Sequence, residues 1–432
     1  MKDNMLRFID SAGLPIILEL ETELTKRPAI SPDFGGQGEL DKCEFLESWL
    51  KARGVDQLER YDAPDSRAKG GVRPNLIATL PGKDGDSGDS GRLWIISHID
   101  VVPPGEASLW KSDPWTVTQV EAKAGDDPPG STPGRRIVGR GVEDDQQGLC
   151  SSVLAALALK EAGIVPPRTV KLLFAADEED GSAYGIVWLM KNHRNLFRKN
   201  DTALVPDTGD STGSSIEIAE KNLIWARFTT RGKQAHGSRP DQGANAFLAA
   251  SDLATALHYG LSGKFSARDP LFSPDYSTFQ PTKKEANVPN VNTIPGEDVF
   301  YMDMRILPQY SVKEVLAEAD RIQGEIEAKY GVKISRDASQ AVESRPTPAD
   351  APLVKALSRR IEEVYGVKTK PIGIGGGTIG ACLRNEGIDS AVWCRIDEVA
   401  HQPNEYALID NILGDAKVMA LLMMGEDWGR KV

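Results

Sequence analysis

The sequence predicts an α/β protein: a larger domain with a mostly parallel sheet flanked by helices, interrupted by an inserted α+β domain. Three observations carry this. The apolar helix pattern over residues 148–163 precedes the buried-strand run 170–176, which is a βαβ crossover. Short segments bearing acids or histidine follow several strand-like runs, as ligand loops do beyond the carboxyl ends of parallel strands. Beyond about Glu220 the order becomes strand, helix, strand, helix, strand, before helix returns after about Gln340. The expected division is 1–219 and 341–432 for the larger domain and 220–340 for the insert.

Taken in order, residues 5–27 and 38–53 show the apolar spacing of two amphipathic helices, the second stopped by Gly54. Residues 75–80 and 92–97 read as strands joined by an exposed turn over 81–88. The second strand delivers His98 and Asp100. Residues 103–134, rich in Pro, Gly, Asp and Trp, predict irregular chain with a surface hairpin over 122–135. After the crossover helix and the 170–176 strand come four acids, Asp177-Glu178-Glu179-Asp180, and a strand over 203–206 leads to Asp207. In the insert, 223–230 alternates as a half-buried strand, 243–259 is a helix, 299–306 a strand and 312–330 a helix. Residues 351–365 form a further helix before a glycine run.

Composition narrows the function classes. A chain of 432 residues exceeds one ordinary domain, and 40% hydrophobic with 26% charged residues is usual for a globular protein. No stretch approaches the roughly 20 apolar residues of a membrane span, and the amino-terminal segment carries acids where a secretion signal would be uninterrupted and apolar. The formal net charge of −12 argues against a nucleic-acid or anionic-membrane partner and favours a small-molecule substrate. Cys43, Cys150, Cys382 and Cys394 form no metal-type pair and read as reduced residues of a cytoplasmic protein.

The acidic run after the 170–176 strand has a bland reading as a solvated loop. Its company favours another. Carboxylates crowded into one cleft cannot all ionise unless cations sit among them, and imidazole with carboxylate suits zinc, cobalt or manganese. His98-x-Asp100 places two side chains on one face of an extended segment, where Asp100 can hold the imidazole; alone, such a pair is more simply a structural hydrogen bond.

In chain order, Ser97-His98-Ile99-Asp100-Val101-Val102-Pro103, Gly139-Arg140-Gly141-Val142-Glu143-Asp144-Asp145, Asp177-Glu178-Glu179, Gln234-Ala235-His236-Gly237-Ser238-Arg239-Pro240 and Ala400-His401-Gln402-Pro403-Asn404-Glu405 resemble the motifs of one family. It is the co-catalytic zinc exopeptidase and amidohydrolase family, which includes aminoacylases, succinyl-diaminopimelate desuccinylase, acetylornithine deacetylase, glutamate carboxypeptidase and dinuclear dipeptidases. Each motif alone is weak, whereas five in order are specific. The resemblance implies a zinc-exopeptidase-like catalytic domain with a ferredoxin-like lid and dimerisation domain, and a homodimer through that insert. It further implies two divalent ions per chain, with Asp144 bridging, His98 and Asp207 completing one site, and Glu179 and His401 the other. Glu178 matches the general base, and Asp100 is counted with it among the catalytic residues. A water shared by two ions about 3.5–4 Å apart has its pKa lowered toward about 7 and needs only a nearby carboxylate to take its proton.

The same resemblance gives His236 the role of polarising the scissile carbonyl, often from the neighbouring subunit, where a donor is typically worth roughly 3–4 kcal/mol. Capping of Gly237-Ser238 is the alternative for that histidine. Arg305 and Asn292 match positions that contact a substrate carboxylate, with an ion pair to Asp303 the competing reading of Arg305. Gly376, Gly377 and Thr378 resemble a glycine-rich loop beside the cleft. Gly375-x-Gly377-x-x-Gly380 also satisfies a dinucleotide fingerprint, but no full βαβ half follows and His401 would then go unexplained. The sequence departs from the family's Asp-x-Lys-Gly pattern at Gln146-Gln147, so specificity does not transfer. Hydrolysis of an amide in a small carboxylate-bearing substrate is the expectation, with a one-metal hydrolase and a non-catalytic binding protein as alternatives.

Overall fold

A computed structural model describes residues 1–83, 85, 91–123, 125 and 132–425. The turn expected over 81–88 and the tip of the hairpin expected over 122–135 fall largely outside the described residues.

The chain opens with α1 (Lys2–Thr25), whose buried Met5, Ile9, Ile17, Leu20 and Leu24 recur at helical spacing. Next come α2 (Leu40–Ala52), β1 (Leu58–Pro64), β2 (Val72–Leu80) and β3 (Leu93–His98). Strands β4 (Thr118–Ala122) and β5 (Gly134–Val138) pair as an antiparallel hairpin. The crossover helix α3 (Gln146–Glu161) is buried along most of its length, as its nearly unbroken apolar sequence requires. After it come β6 (Val170–Ala175), α4 (Ile186–Asn192), β7 (Thr202–Gly209) and β8 (Ser215–Glu220). The next stretch holds β9 (Asn222–Arg231), β10 (Ala235–His236), α5 (Ala246–Lys264), β11 (Thr278–Lys284), β12 (Thr293–Ile294), β13 (Glu297–Ile306), α6 (Val312–Tyr330) and β14 (Lys333–Val342). The chain finishes with α7 (Pro352–Tyr365), β15 (Lys370–Ile374), α8 (Ile379–Asn385), β16 (Asp389–Cys394), β17 (Tyr406–Leu408) and α9 (Ile409–Met424).

Two compact units result: Met1–Ile218 with Thr347–Pro371 and Thr378–Val432, and Ala219–Pro346 with Ile372–Gly377. The larger sheet runs β1-β2-β6-β3-β7-β16-β8-β15. Its centre, β6-β3-β7-β16, is parallel, while β1, β2 and β8 pair antiparallel. Parallel strands must be buried on both faces, and β3 and β6 are buried at every position. Helix α3 packs on this sheet and against α1 and α9, with Ser151 Oγ donating to the Ile412 carbonyl at 3.0 Å.

The second unit follows the order β9-α5-β11-β13-α6-β14, with an antiparallel sheet β11-β13-β9-β14. This is the split βαβ arrangement of ferredoxin-like folds. Alternate residues Ile224, Ala226 and Phe228 of β9 and Phe300, Met302 and Met304 of β13 fill one core with α5 and α6. The ends of α6 are written in the sequence: Ser311 and Glu314 form a reciprocal cap, and Gly331 adopts the left-handed conformation after the last turn.

Candidate metal centre

Because β6, β3 and β7 are adjacent and parallel, their carboxyl ends deliver side chains to one place. His98 closes β3 opposite Ala175, the last residue of β6, and the next loop carries Asp177, Glu178 and Glu179. Asp207 does not follow its strand; it lies within β7. There the pairing with β16 shifts, from Val205 against Val392 to Gly209 against Cys394, so Asp207 sits in a bulge. A bulge re-aims a side chain, which is how a strand residue reaches the site. Asp144 stands just before α3, and His401 in the loop before β17. The close approach of α3 depends on Gly148, where an added Cβ would lie 2.2 Å from Asp145 Oδ1 and 2.4 Å from the Pro206 carbonyl.

The carboxylate of Asp144 divides its oxygens between the two histidines. Its Oδ1 is 2.8 Å from His98 Nε2 and its Oδ2 3.0 Å from His401 Nε2. Asp207 Oδ1 is 3.7 Å from the same His98 nitrogen, and Glu179 Oε2 is 3.0 Å from His401 Nε2. His98 Nδ1 donates to the main-chain carbonyl of Asp100 at 3.1 Å, so Nε2 carries the lone pair whenever the ring is neutral; burial opposes its charge, but hydrogen bonds to Asp100, Asp144 and Asp207 raise it well above the ordinary histidine range. The sequence suggested that Asp100 holds this imidazole; its carbonyl does so, its carboxylate Oδ1 lies 3.5 Å from the same nitrogen, and that carboxylate has further work. Oδ1 and Oδ2 of Asp100 accept the backbone N–H groups of Glu178 and Glu179 at 3.0 and 3.1 Å. Asp177 and His401 hold left-handed backbone, with φ of 65° and 63°, a conformation that non-glycine residues adopt mainly where surrounding structure enforces it.

The donor set fits divalent ions. His98, Asp144 and Glu179 offer atoms within 4.8 Å of one another, and so do His98, Asp145 and Asp207. Asp145 was missed in the sequence, where it read only as a neighbour of Asp144; its Oδ2 accepts the His98 N–H at 3.1 Å, and its buried Oδ1 has no hydrogen-bond partner among the described residues. Burial and the Asp207 charge push both Asp145 and Glu178 well above the usual carboxylate range. Burial and then the Asp144 charge raise Glu179 to about 7. Asp144 moves the other way: burial opposes its ionisation, but hydrogen bonds from His401 and His98 hold it well below the usual range. Cations placed among such groups invert this crowding.

Hydrogen bonds to Asp144 and then Glu179 raise His401 to about 10. A divalent ion takes the neutral ring, so below that pH uptake must displace a proton, and affinity should climb as pH rises from 6 toward 9. Zinc titration calorimetry at pH 7, in buffers of differing ionisation enthalpy, should show at least one proton released per chain. Uptake without proton release would remove His401 from the ligand set.

The remaining candidates are placed as follows. In the second unit His236 is exposed on β10, and its Nδ1 accepts the Ser238 N–H at 3.1 Å. The turn contact offered as its alternative role is therefore present, and in the neutral ring Nε2 is left carrying the proton. Asn292 adjoins it across the β10–β12 pair, its carbonyl accepting the Gly237 N–H at 2.7 Å. Arg305 makes the anticipated ion pair, Nε to Asp303 Oδ1 at 2.7 Å, and also donates to the Gly375 carbonyl at 2.6 Å. Gly376 and Gly377 are exposed, whereas Thr378 of the first unit caps α8, a helix of only seven residues. Gln146 and Gln147 are buried and donate to Thr25 Oγ1 and to the Arg395 carbonyl and Asp415 Oδ2.

A parallel sheet whose strand ends gather two histidines and several carboxylates defines a metallohydrolase with a candidate two-metal site. The chain matches Peptidase family M20/M25/M40 over residues 94–425 and belongs to that family. It is 36% identical to an uncharacterized metallohydrolase of Methanococcus maripaludis, covering 93% of this chain and 97% of the relative. It is 27% identical to a succinyl-diaminopimelate desuccinylase of Sulfurimonas denitrificans, covering 91% and 95%. Among solved structures, the dipeptidase Dug1p of Saccharomyces cerevisiae superposes with a TM-score of 0.72 at 17% identity, over 98% of each chain. Among the described residues, no helix is long and apolar enough to cross a membrane.

Proposed function

We propose that this chain hydrolyses the amide bond of a small substrate with a free carboxylate, a dipeptide or an N-acyl amino acid such as N-succinyl-diaminopimelate. The observation that carries the reading is the posture of Asp144, one carboxylate oxygen toward each histidine. Such a carboxylate could be shared by two ions, with His98 and Asp207 the residues that would hold one and Glu179 and His401 the other. The names of two relatives, a desuccinylase and a dipeptidase, supply the substrate classes.

Two divalent ions, zinc by preference with cobalt or manganese as substitutes, supply Lewis acidity and a water of lowered pKa when bound. The chain's own residues do the rest. Glu178, fixed through its backbone by Asp100, takes the proton of the attacking water on its carboxylate and returns it to the leaving amine. His236 donates its Nε2 proton to the developing oxyanion, and Arg305, Asn292, Gly376, Gly377 and Thr378 bind the carboxylate and backbone of the substrate. The proposal includes a cytoplasmic homodimer joined through the inserted unit, whose α5 exposes Phe247, Leu248 and Tyr259.

The test is metal content per chain, before and after reconstitution with zinc or cobalt, paired with assays on dipeptides and on N-acetyl, N-succinyl and N-carbamoyl amino acids. Two ions and metal-dependent release of a free amine are expected. Folded protein that takes up no ion would end the reading, and two ions without turnover on any amide would favour a non-catalytic binding protein. Mixed dimers of Glu178→Ala and His236→Ala should regain activity if His236 acts in the neighbouring subunit; inactive mixed dimers would confine it to its own.

A further inference from the structure

Two buried glutamates that take no part in the reaction above join the loops carrying Asp144 and His401. Glu405, four residues past His401, is 0% exposed, and Glu143, immediately before Asp144, is 3% exposed. Glu405 Oε1 accepts the backbone N–H groups of Glu143 and Asp144 at 2.9 and 3.2 Å, and its Oε2 accepts the Gly141 N–H at 3.0 Å and Arg140 Nη1 at 2.6 Å. Glu143 reaches the opposite way. Its Oε1 accepts the Asp397 N–H at 3.0 Å and its Oε2 the Val399 N–H at 2.5 Å. Each loop thus lends a carboxylate to the backbone of the other.

Cohesion alone does not account for this arrangement, because apolar side chains of similar volume join two buried segments as well or better than buried charges. What a carboxylate adds is direction: two oxygens gripping two N–H groups fix a backbone segment in place and orientation. The grip of Glu405 falls on the backbone of Asp144 itself. That of Glu143 falls on 397 and 399, four and two residues before His401, whose left-handed φ leaves it dependent on the course of that loop.

We propose that Glu143 is a positioning residue for His401, so that the Asp144–Glu179–His401 site depends on it while the His98–Asp207 site does not. The inference rests on the two-metal reading. Partners lying behind metal ligands typically change affinity by about 10–100-fold when lost, and Glu143→Gln should weaken one of the two ions by that factor.

Cobalt titration of metal-free protein, followed by its visible absorption bands, tests this directly. Wild type is expected to fill two sites, and Glu143→Gln to fill one as wild type does and the other 10–100-fold more weakly. In a His401→Ala background Glu143→Gln should change nothing further, whereas in an Asp207→Ala background its whole effect should remain. Equal weakening of both ions, or an undiminished effect when His401 is already absent, would overturn the proposal. Glu143→Asp keeps the carboxyl group with a shorter reach and should show the same selective loss. If both variants lose the fold, or both bind two ions as wild type does, Glu143 is not a positioning residue. A wild type that binds fewer than two ions would instead defeat the two-metal reading.

Discussion

Glu178→Gln is expected to lower kcat by about 10²–10⁴-fold, the usual contribution of a positioned general base, with both ions retained and KM little changed. Each tenfold is about 1.36 kcal/mol of barrier. The substitution is a clean one because Glu178 is held by its main chain: its N–H donates to Asp100 Oδ1, a bond that glutamine keeps. The amide has the same shape as the carboxylate and cannot accept the proton. Steady-state kinetics on whichever amide the wild type cleaves, with metal analysis of the same sample, provides the check. Turnover within a fewfold of wild type would move the base elsewhere.

Asp144→Ala should remove both ions at once and lower kcat/KM by roughly 10³-fold or more, since metal ions supply several kcal/mol to such transition states. Asp207→Ala and His401→Ala should each cost one. The difference follows from the oxygens of Asp144, one 2.8 Å from His98 and the other 3.0 Å from His401, whereas Asp207 lies 3.7 Å from His98 and Glu179 lies 3.0 Å from His401, with only a looser approach, within 4.8 Å, to His98. Elemental analysis of the three purified variants decides it. An Asp144→Ala protein that still holds one tight ion would show that the carboxylate is not shared.

The parts of this molecule that could be read in advance are those with a local signature. The buried strands β3 and β6 and the crossover α3 declare themselves by apolar run and helical spacing, and α6 by its caps. Strands β1 and β11 were not foreseen. Leu58–Pro64 is mostly exposed or half-buried at a sheet edge and shows no clean alternation. Thr278–Lys284 holds Pro281 and two lysines, which suit an edge strand and disguise it. In the centre, His98, Asp144, Glu178, Glu179 and His401 could be picked out because they follow strands or sit in recognisable motifs. The service of Asp145, Glu143 and Glu405 could not, because a carboxylate that grips a distant main-chain N–H leaves no periodicity and names no partner in the sequence.

That mode of attachment bears on how the chain can diverge. Asp100, Glu143, Asp145 and Glu405 all bind peptide N–H groups, at residues 98, 141, 143, 144, 178, 179, 397 and 399. A peptide N–H is common to every amino acid except proline, so a residue that serves only as the gripped partner carries no further chemical requirement from this interaction. The instructions for the geometry are thus stored in a few acids, while the gripped positions answer to contacts of their own: Asp397 accepts from Thr132 and Tyr406, and Val399 packs with Tyr406 and Leu408. Replacing one of these acids should therefore shift the main chain that it grips, whereas a change at a gripped position is felt only through that residue's own side chain.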